Sequence, residues 1–147
     1  NVLAGSARIL GDCRSFSPEV SRQIEARMRA IAEGVAAAHG CEVAVVYSRE
    51  FTPLLNDPTA TAAAIRAARA MGGDADCDGG VDPDCAPIAA SEDFAQFLAH
   101  VPGCFVFLGN GVDSAPLHSP VYDFNDATLA RGARFHIAIA RQQLPSS

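Results

Sequence analysis

His118 is the side chain whose neighbours best equip it for chemistry. It sits in Pro116-Leu117-His118-Ser119-Pro120, after an apolar run (Cys104-Phe105-Val106-Phe107-Leu108) and a Gly109-Asn110-Gly111 turn, and before a long helical pattern. Two prolines restrict the backbone around that imidazole, and a neutral imidazole is a common metal ligand. What it lacks is company. A catalytic zinc site takes three protein ligands, and the sequence holds no His-x-His, His-Glu-x-x-His or Cys-x-x-Cys motif. Judged by spacing alone, His118 is either one ligand of a larger set or a structural loop histidine.

Other chemistry-bearing residues are weaker candidates. Asp74-x-Asp76-x-Asp78-Gly79 matches the first half of a calcium loop, but its twelfth position is Cys85 where a bidentate glutamate is needed. The better reading is a solvated acidic loop, Asp82 and Asp84 included. His39 reads as a cation at a helix C-terminus, His100 as a surface residue, and His136 as a partly buried residue beside an apolar stripe. Five cysteines, an odd number without metal-type spacing, suggest reduced thiols and a cytoplasmic setting. Cys77 and Cys85 flank the acidic loop closely enough that their pairing stays open, and Cys104 reads as core filler.

Bulk properties narrow the class. A net charge of −6 argues against nucleic acid and anionic membranes as partners. No stretch approaches the roughly 18 continuous apolar residues of a membrane span. The opening Asn1-Val2-Leu3 has neither an initiator methionine nor a signal-peptide pattern, and it reads as cut from something longer.

The elements that must position these residues follow from periodicity. Residues 7–16 and 41–48 alternate as strands, the second placing Cys41, Val43, Val45 and Tyr47 on one face. Between them Ser17-Pro18-Glu19 opens a helix whose stripe is Val20, Ile24, Met28, Ile31 and Val35, closed by His39-Gly40. The resulting β-α-β unit over 7–51 is half of a ferredoxin-like βαββαβ pattern and should lean on other structure. A boundary is expected in Thr52-Pro53, giving segments 1–52 and 53–147. Beyond it, Asp57-Pro58 caps an alanine-rich helix over about 58–71 ended by Gly72-Gly73, and Ser91-Glu92-Asp93 caps a short helix. Residues 104–108 read as a central strand buried on both faces. Asn125-Asp126 caps a last helix with the stripe Leu129, Ala133, Ile137, Ala140 and Leu144.

Three separated motifs carry a resemblance. Ser91-Glu92-Asp93-Phe94, then Val101-Pro102-Gly103 with the apolar run to Gly109, then Leu117-His118-Ser119-Pro120-Val121-Tyr122-Asp123-Phe124-Asn125-Asp126, are similar to the C-terminal end of a group of dinuclear metallopeptidases. That group comprises hippurate hydrolases, indole-acetyl-amino-acid hydrolases and N-acyl-amino-acid amidohydrolases. Asn1-Val2, Gly11-Asp12-Cys13-Arg14-Ser15-Phe16 and Leu55-Asn56-Asp57-Pro58 resemble its lid and crossing segments.

The resemblance implies an α/β chain: a partial ferredoxin-like β-α-β lid and dimerisation segment (1–52), then the C-terminal segment of an α/β metal-dependent hydrolase domain (53–147). It also implies amide hydrolysis of an N-acyl amino acid by two divalent ions (zinc, manganese, nickel or cobalt) that share a bridging water, with a glutamate as base. His118 then matches the last metal ligand. Asn1 and Arg14, thirteen apart, match an oxyanion-holding amide and a carboxylate-gripping guanidinium. Gly109 and Gly111 match the turn where backbone approaches the ligand, and Asn56 matches a residue holding the crossing. A homodimer through the lid is implied as well. The group's Cys-x-His pair, tandem glutamates and remaining histidines match nothing in this chain. The expectation is therefore part of a cytoplasmic amidohydrolase, inactive alone, with ion binding by this part alone left open; the alternative is a non-catalytic dimerisation or binding module of the same fold.

Overall fold

The computed structural model describes residues 2–71 and 80–144, and among them the regular elements are helices only. They are α1 (Pro18–Ala38), α2 (Pro58–Met71), α3 (Phe94–Leu98) and α4 (Leu129–Gln143), the last entered through a 3-10 turn at Asp126–Thr128. Two compact units result: Asn1–Leu54 with Pro87–Gln96, and Leu55–Ala86 with Phe97–Ser147. Among the described residues no helix is long and apolar enough to cross a membrane.

Local chemistry sets the helix ends. Ser17 is extended, and its hydroxyl accepts the Val20 N–H at 3.2 Å, while Pro18 has no N–H to leave unpaired. At the other end Gly40 takes a φ of 64°; its N–H reaches the Ala37 carbonyl at 3.2 Å and that of Cys41 reaches Ala36 at 2.9 Å. This double closure is a Schellman motif, and its left-handed position favours glycine. Asp57 caps α2 by accepting the Ala60 N–H at 2.8 Å, Glu92 accepts the Phe94 N–H at 3.2 Å, and Asn125 accepts the Ala127 N–H at 3.1 Å.

In the first unit, residues 41–51 are tied to a polar face of α1. Glu25 accepts from Arg29 through Nε at 2.9 Å and Nη2 at 2.7 Å, and it also pairs with Arg49. Arg29 Nη1 donates to the Val45 carbonyl at 2.8 Å, and the Arg49 guanidinium lies over the Tyr47 ring at 5.3 Å. The more covered positions of α1 are therefore Ser21, Ile24, Glu25, Arg29, Ala32 and Ala36. Of the expected apolar stripe, only Ile24 is half-buried; Ile31 is 64% exposed and Val35 57%.

In the second unit α2 packs along α4, with Ala63, Ala64 and Ala67 buried. Side chains this small let two helices approach closely. On α4 the more covered positions are Arg131, Gly132, Phe135, Ala138 and Ile139, not the expected stripe, from which Leu129, Ile137 and Leu144 are all exposed. A Cβ on Gly132 would meet Leu108 Cδ2 at 3.4 Å, so the end of the apolar run rests on α4. His136 is exposed.

The α/β class and the partial ferredoxin-like β-α-β lid over residues 7–51 are overturned: among the described residues there is no strand. Alternation marks which side chains share a face, but a strand exists only when a neighbour completes its ladder, and two strands alone are marginal in water. Val45 and Tyr47 are half-buried while Val46 is 95% exposed, so the alternation survives without the ladder. Likewise 104–108 is no buried central strand, for Phe107 is 63% exposed. That segment is held by Asn56, whose Oδ1 accepts the Phe105 N–H at 2.8 Å and whose Nδ2 donates to the Phe105 carbonyl at 2.9 Å. One side-chain amide thus makes the pair of bonds a neighbouring strand would make.

Two predictions follow from these attachments. Asn56→Ala should cost about 1–2 kcal/mol, the net worth of two hydrogen bonds at a solvent-accessible site, read as a lower urea midpoint, with Asn56→Asp between the two; an unchanged midpoint would contradict the pairing. Glu25 is held below its ordinary value first by the hydrogen bond from Arg29 and then by Arg49. Because its folded value is the lower one, the stability it contributes is complete above the ordinary glutamate range and is lost as pH falls through the folded value. Glu25→Gln should therefore lessen the drop in urea midpoint between neutral and strongly acidic pH. The remainder is due partly to Glu19, which is lowered by its own backbone N–H and by Ser17.

Candidate functional site

His118 lies in a loop closed at its base by two asparagines fifteen positions apart. Asn110 Oδ1 accepts the Asn125 N–H at 2.8 Å, and Asn125 Nδ2 donates to the Asn110 carbonyl at 3.1 Å. Asn110 Nδ2 also donates to Ser114 Oγ at 2.6 Å and to the Asp123 carbonyl at 2.8 Å. Inside the loop, short turns form where Ser114 N–H meets Gly111 O, Ser119 N–H meets Pro116 O and Tyr122 N–H meets Ser119 O. Gly111 has a φ of 114°, a value that glycine adopts without a Cβ penalty.

His118 occupies the third position of the Pro116–Ser119 turn with a φ of 67°, and it is the one non-glycine residue with positive φ among those described. That conformation costs an L-residue with a Cβ roughly 1–2 kcal/mol, and such strain tends to mark functional positions. The side chain is exposed and solvent-accessible.

The expected site residues are distributed as follows. Gly109, Gly111 and His118 fall together on this loop and its entry. A Cβ on Gly109 would meet nothing within 4 Å, so its immediate surroundings do not require glycine. Arg14 belongs to the first unit, where Nε pairs with Asp12 at 2.9 Å and Nη1 donates to the Ala89 carbonyl at 3.0 Å. Asn1 lies outside the described residues, as do Asp74, Asp76 and Asp78 of the acidic run and Cys77 of the possible cysteine pair. In the sequence Asn110 is the middle residue of a Gly-Asn-Gly turn and Asn125 a helix cap, which it also is in the structure. Their signal was present only as asparagines beside a glycine and before a helix.

Among the described residues no group of three or more His, Cys, Asp or Glu side chains could hold a metal ion. The donor set therefore does not fit a pair of divalent ions, which need several ligands each.

A model of the family described as peptidase family M20/M25/M40 matches residues 7–142. The chain is 31% identical over 147 residues to the N-acetyl-L-cysteine deacetylase of Bacillus subtilis (strain 168), covering 100% of this chain and 33% of that protein. It is 35% identical over 132 residues to the N-acetyldiaminopimelate deacetylase of Streptococcus thermophilus (strain CNRZ 1066), covering 88% and 33%. It is 30% identical over 139 residues to the N-acetyldiaminopimelate deacetylase of Geobacillus sp. (strain WCH70), covering 94% and 35%. The chain thus spans about a third of the length of these relatives. No solved structure matches it.

Proposed function

The chain belongs to peptidase family M20/M25/M40, and from that membership we propose that it forms part of a metal-dependent amidohydrolase that cleaves N-acyl amino acids to a carboxylate and a free amino acid. The observation that carries this reading is the continuous family match over residues 7–142, shared with relatives named as deacetylases of N-acetylated amino acids. The strained, exposed setting of His118 supports it.

In this reading His118 supplies one metal ligand. Arg14, whose guanidinium plane is fixed by Asp12 and the Ala89 carbonyl, grips the free carboxylate of the substrate. Asn1 steadies the carbonyl oxygen as it gains charge, and Gly109 and Gly111 leave room for substrate beside the backbone. A cytoplasmic setting and hippurate-like acyl groups belong to the same proposal. Because no group of three or more His, Cys, Asp or Glu side chains among the described residues could hold an ion, no step of the hydrolysis is assigned to them through a metal.

One observation favours the runner-up, a dimerisation or binding module without chemistry: the apolar stripe of α1 at Val20, Met28, Ile31 and Val35 stands largely uncovered. A second copy meeting that stripe would also give the homodimer expected of the catalytic reading.

Two assays separate the possibilities. The purified 147-residue chain, supplied with zinc, manganese or cobalt, should hydrolyse hippurate and N-acetyl amino acids only at background; clear turnover would show that its site is complete. A longer product translated from the same gene with its upstream coding sequence should turn these substrates over, and His118→Ala in it should lower kcat/KM by about a hundredfold or more, at least what loss of a residue supporting a metal ligand costs. Full activity in that variant would remove His118 from the metal site. A longer product that forms a stable dimer in sedimentation yet hydrolyses nothing would establish the module instead.

A further inference from the structure

We infer that Asn110 and Asn125 are positioning residues for His118, an inference that rests on the reading of His118 as the group presented to a metal. A left-handed histidine persists only where its surroundings over-determine it. Here they do so in series. Thr128, itself buried, donates its hydroxyl to the Asn125 carbonyl at 2.8 Å and so fixes Asn125 to the start of α4. Asn125 and Asn110 then hold each other through one backbone N–H, one backbone carbonyl and both side chains. From that clasp the Asn110 amide reaches into both limbs of the loop, to Ser114 on one side of His118 and to Asp123 on the other.

The donors and acceptors leave little freedom at position 110. A side-chain amide has two N–H donors and a carbonyl acceptor, and Asn110 uses its nitrogen for Ser114 and Asp123 and its oxygen for Asn125. Aspartate would keep the acceptor and lose both donors, setting a carboxylate against the Asp123 carbonyl. Alanine would lose all three bonds. The bonds run from the helix pair of this unit to both limbs of the loop, so the clasp references His118 to the most buried part of the unit, the packing of α2 on α4.

Nuclear magnetic resonance on the isotope-labelled 147-residue chain tests this. In the unaltered chain the Asn125 amide should exchange at least tenfold more slowly than an unprotected amide, and the His118 ring should give a single set of resonances. Asn110→Ala should release Asn125 to the unprotected rate and move or split the His118 ring resonances while the α2 and α4 amides stay unchanged. Asn110→Asp should keep Asn125 protected, with an intermediate His118 shift. Asn125→Ser retains a capping hydroxyl for α4 while removing the Nδ2 donor, so it should disturb His118 without loosening the helix, and it decides the matter should Asn110→Ala not fold. Unchanged His118 resonances in Asn125→Ser, or an unprotected Asn125 amide in the unaltered chain, would overturn the inference. None of these readouts involves a metal, so loss of the ligand reading through His118→Ala leaves them separately decidable.

Discussion

Backbone N–H and C=O groups outside a helix need partners, and at several points among the described residues a side chain supplies one. Asn56 pairs with both polar groups of Phe105, Arg29 reaches the Val45 carbonyl, Arg14 reaches the Ala89 carbonyl, and Asn110 serves Asp123 and Asn125. Unpaired backbone groups are costly once shielded from water. Where no ladder forms, an amide or guanidinium with fixed, planar geometry is the next best partner, because it satisfies donor and acceptor together or brings charge to the bond. These contacts help to hold the non-helical segments, beside backbone bonds such as that from the Asp57 N–H to the Gly103 carbonyl at 2.9 Å.

This constraint bears on function through the His118 loop. The loop contains a residue in a conformation that is unfavourable by itself, and it is held at its base by a reciprocal pair of asparagines. Under the proposed reading, His118 gains from being held before an ion arrives, since geometry at a metal centre depends on the groups behind the ligands as much as on the ligands. The chain belongs to peptidase family M20/M25/M40 and spans about a third of the length of the relatives it matches.

The helices were legible because their signals are local. Ser17-Pro18-Glu19, His39-Gly40 and Asp57-Pro58 each act within one turn, and each forms the expected cap. Strands were misread because pairing is not local: alternation at 41–47 and the apolar run at 104–108 record faces, and neither names a partner. The helix faces were misjudged for a related reason. Hydrophobic spacing picked Val20 to Val35 on α1, yet the ion network around Glu25 chose the adjacent polar face for residues 41–51. At the site, the motif around His118 was readable as a run of residues and as a resemblance. The clasp was not, because it joins asparagines fifteen positions apart, each of which has an ordinary local explanation.

The claim that side-chain amides replace a ladder can be examined bond by bond. Scalar coupling across hydrogen bonds links a donor nitrogen to the carbon of its acceptor, so it identifies the partner directly. In the labelled 147-residue chain, the Phe105 backbone nitrogen should couple to the Asn56 side-chain carbonyl carbon. A coupling from Phe105 to a backbone carbonyl of another segment would contradict the account, because it would mean that a strand ladder forms after all.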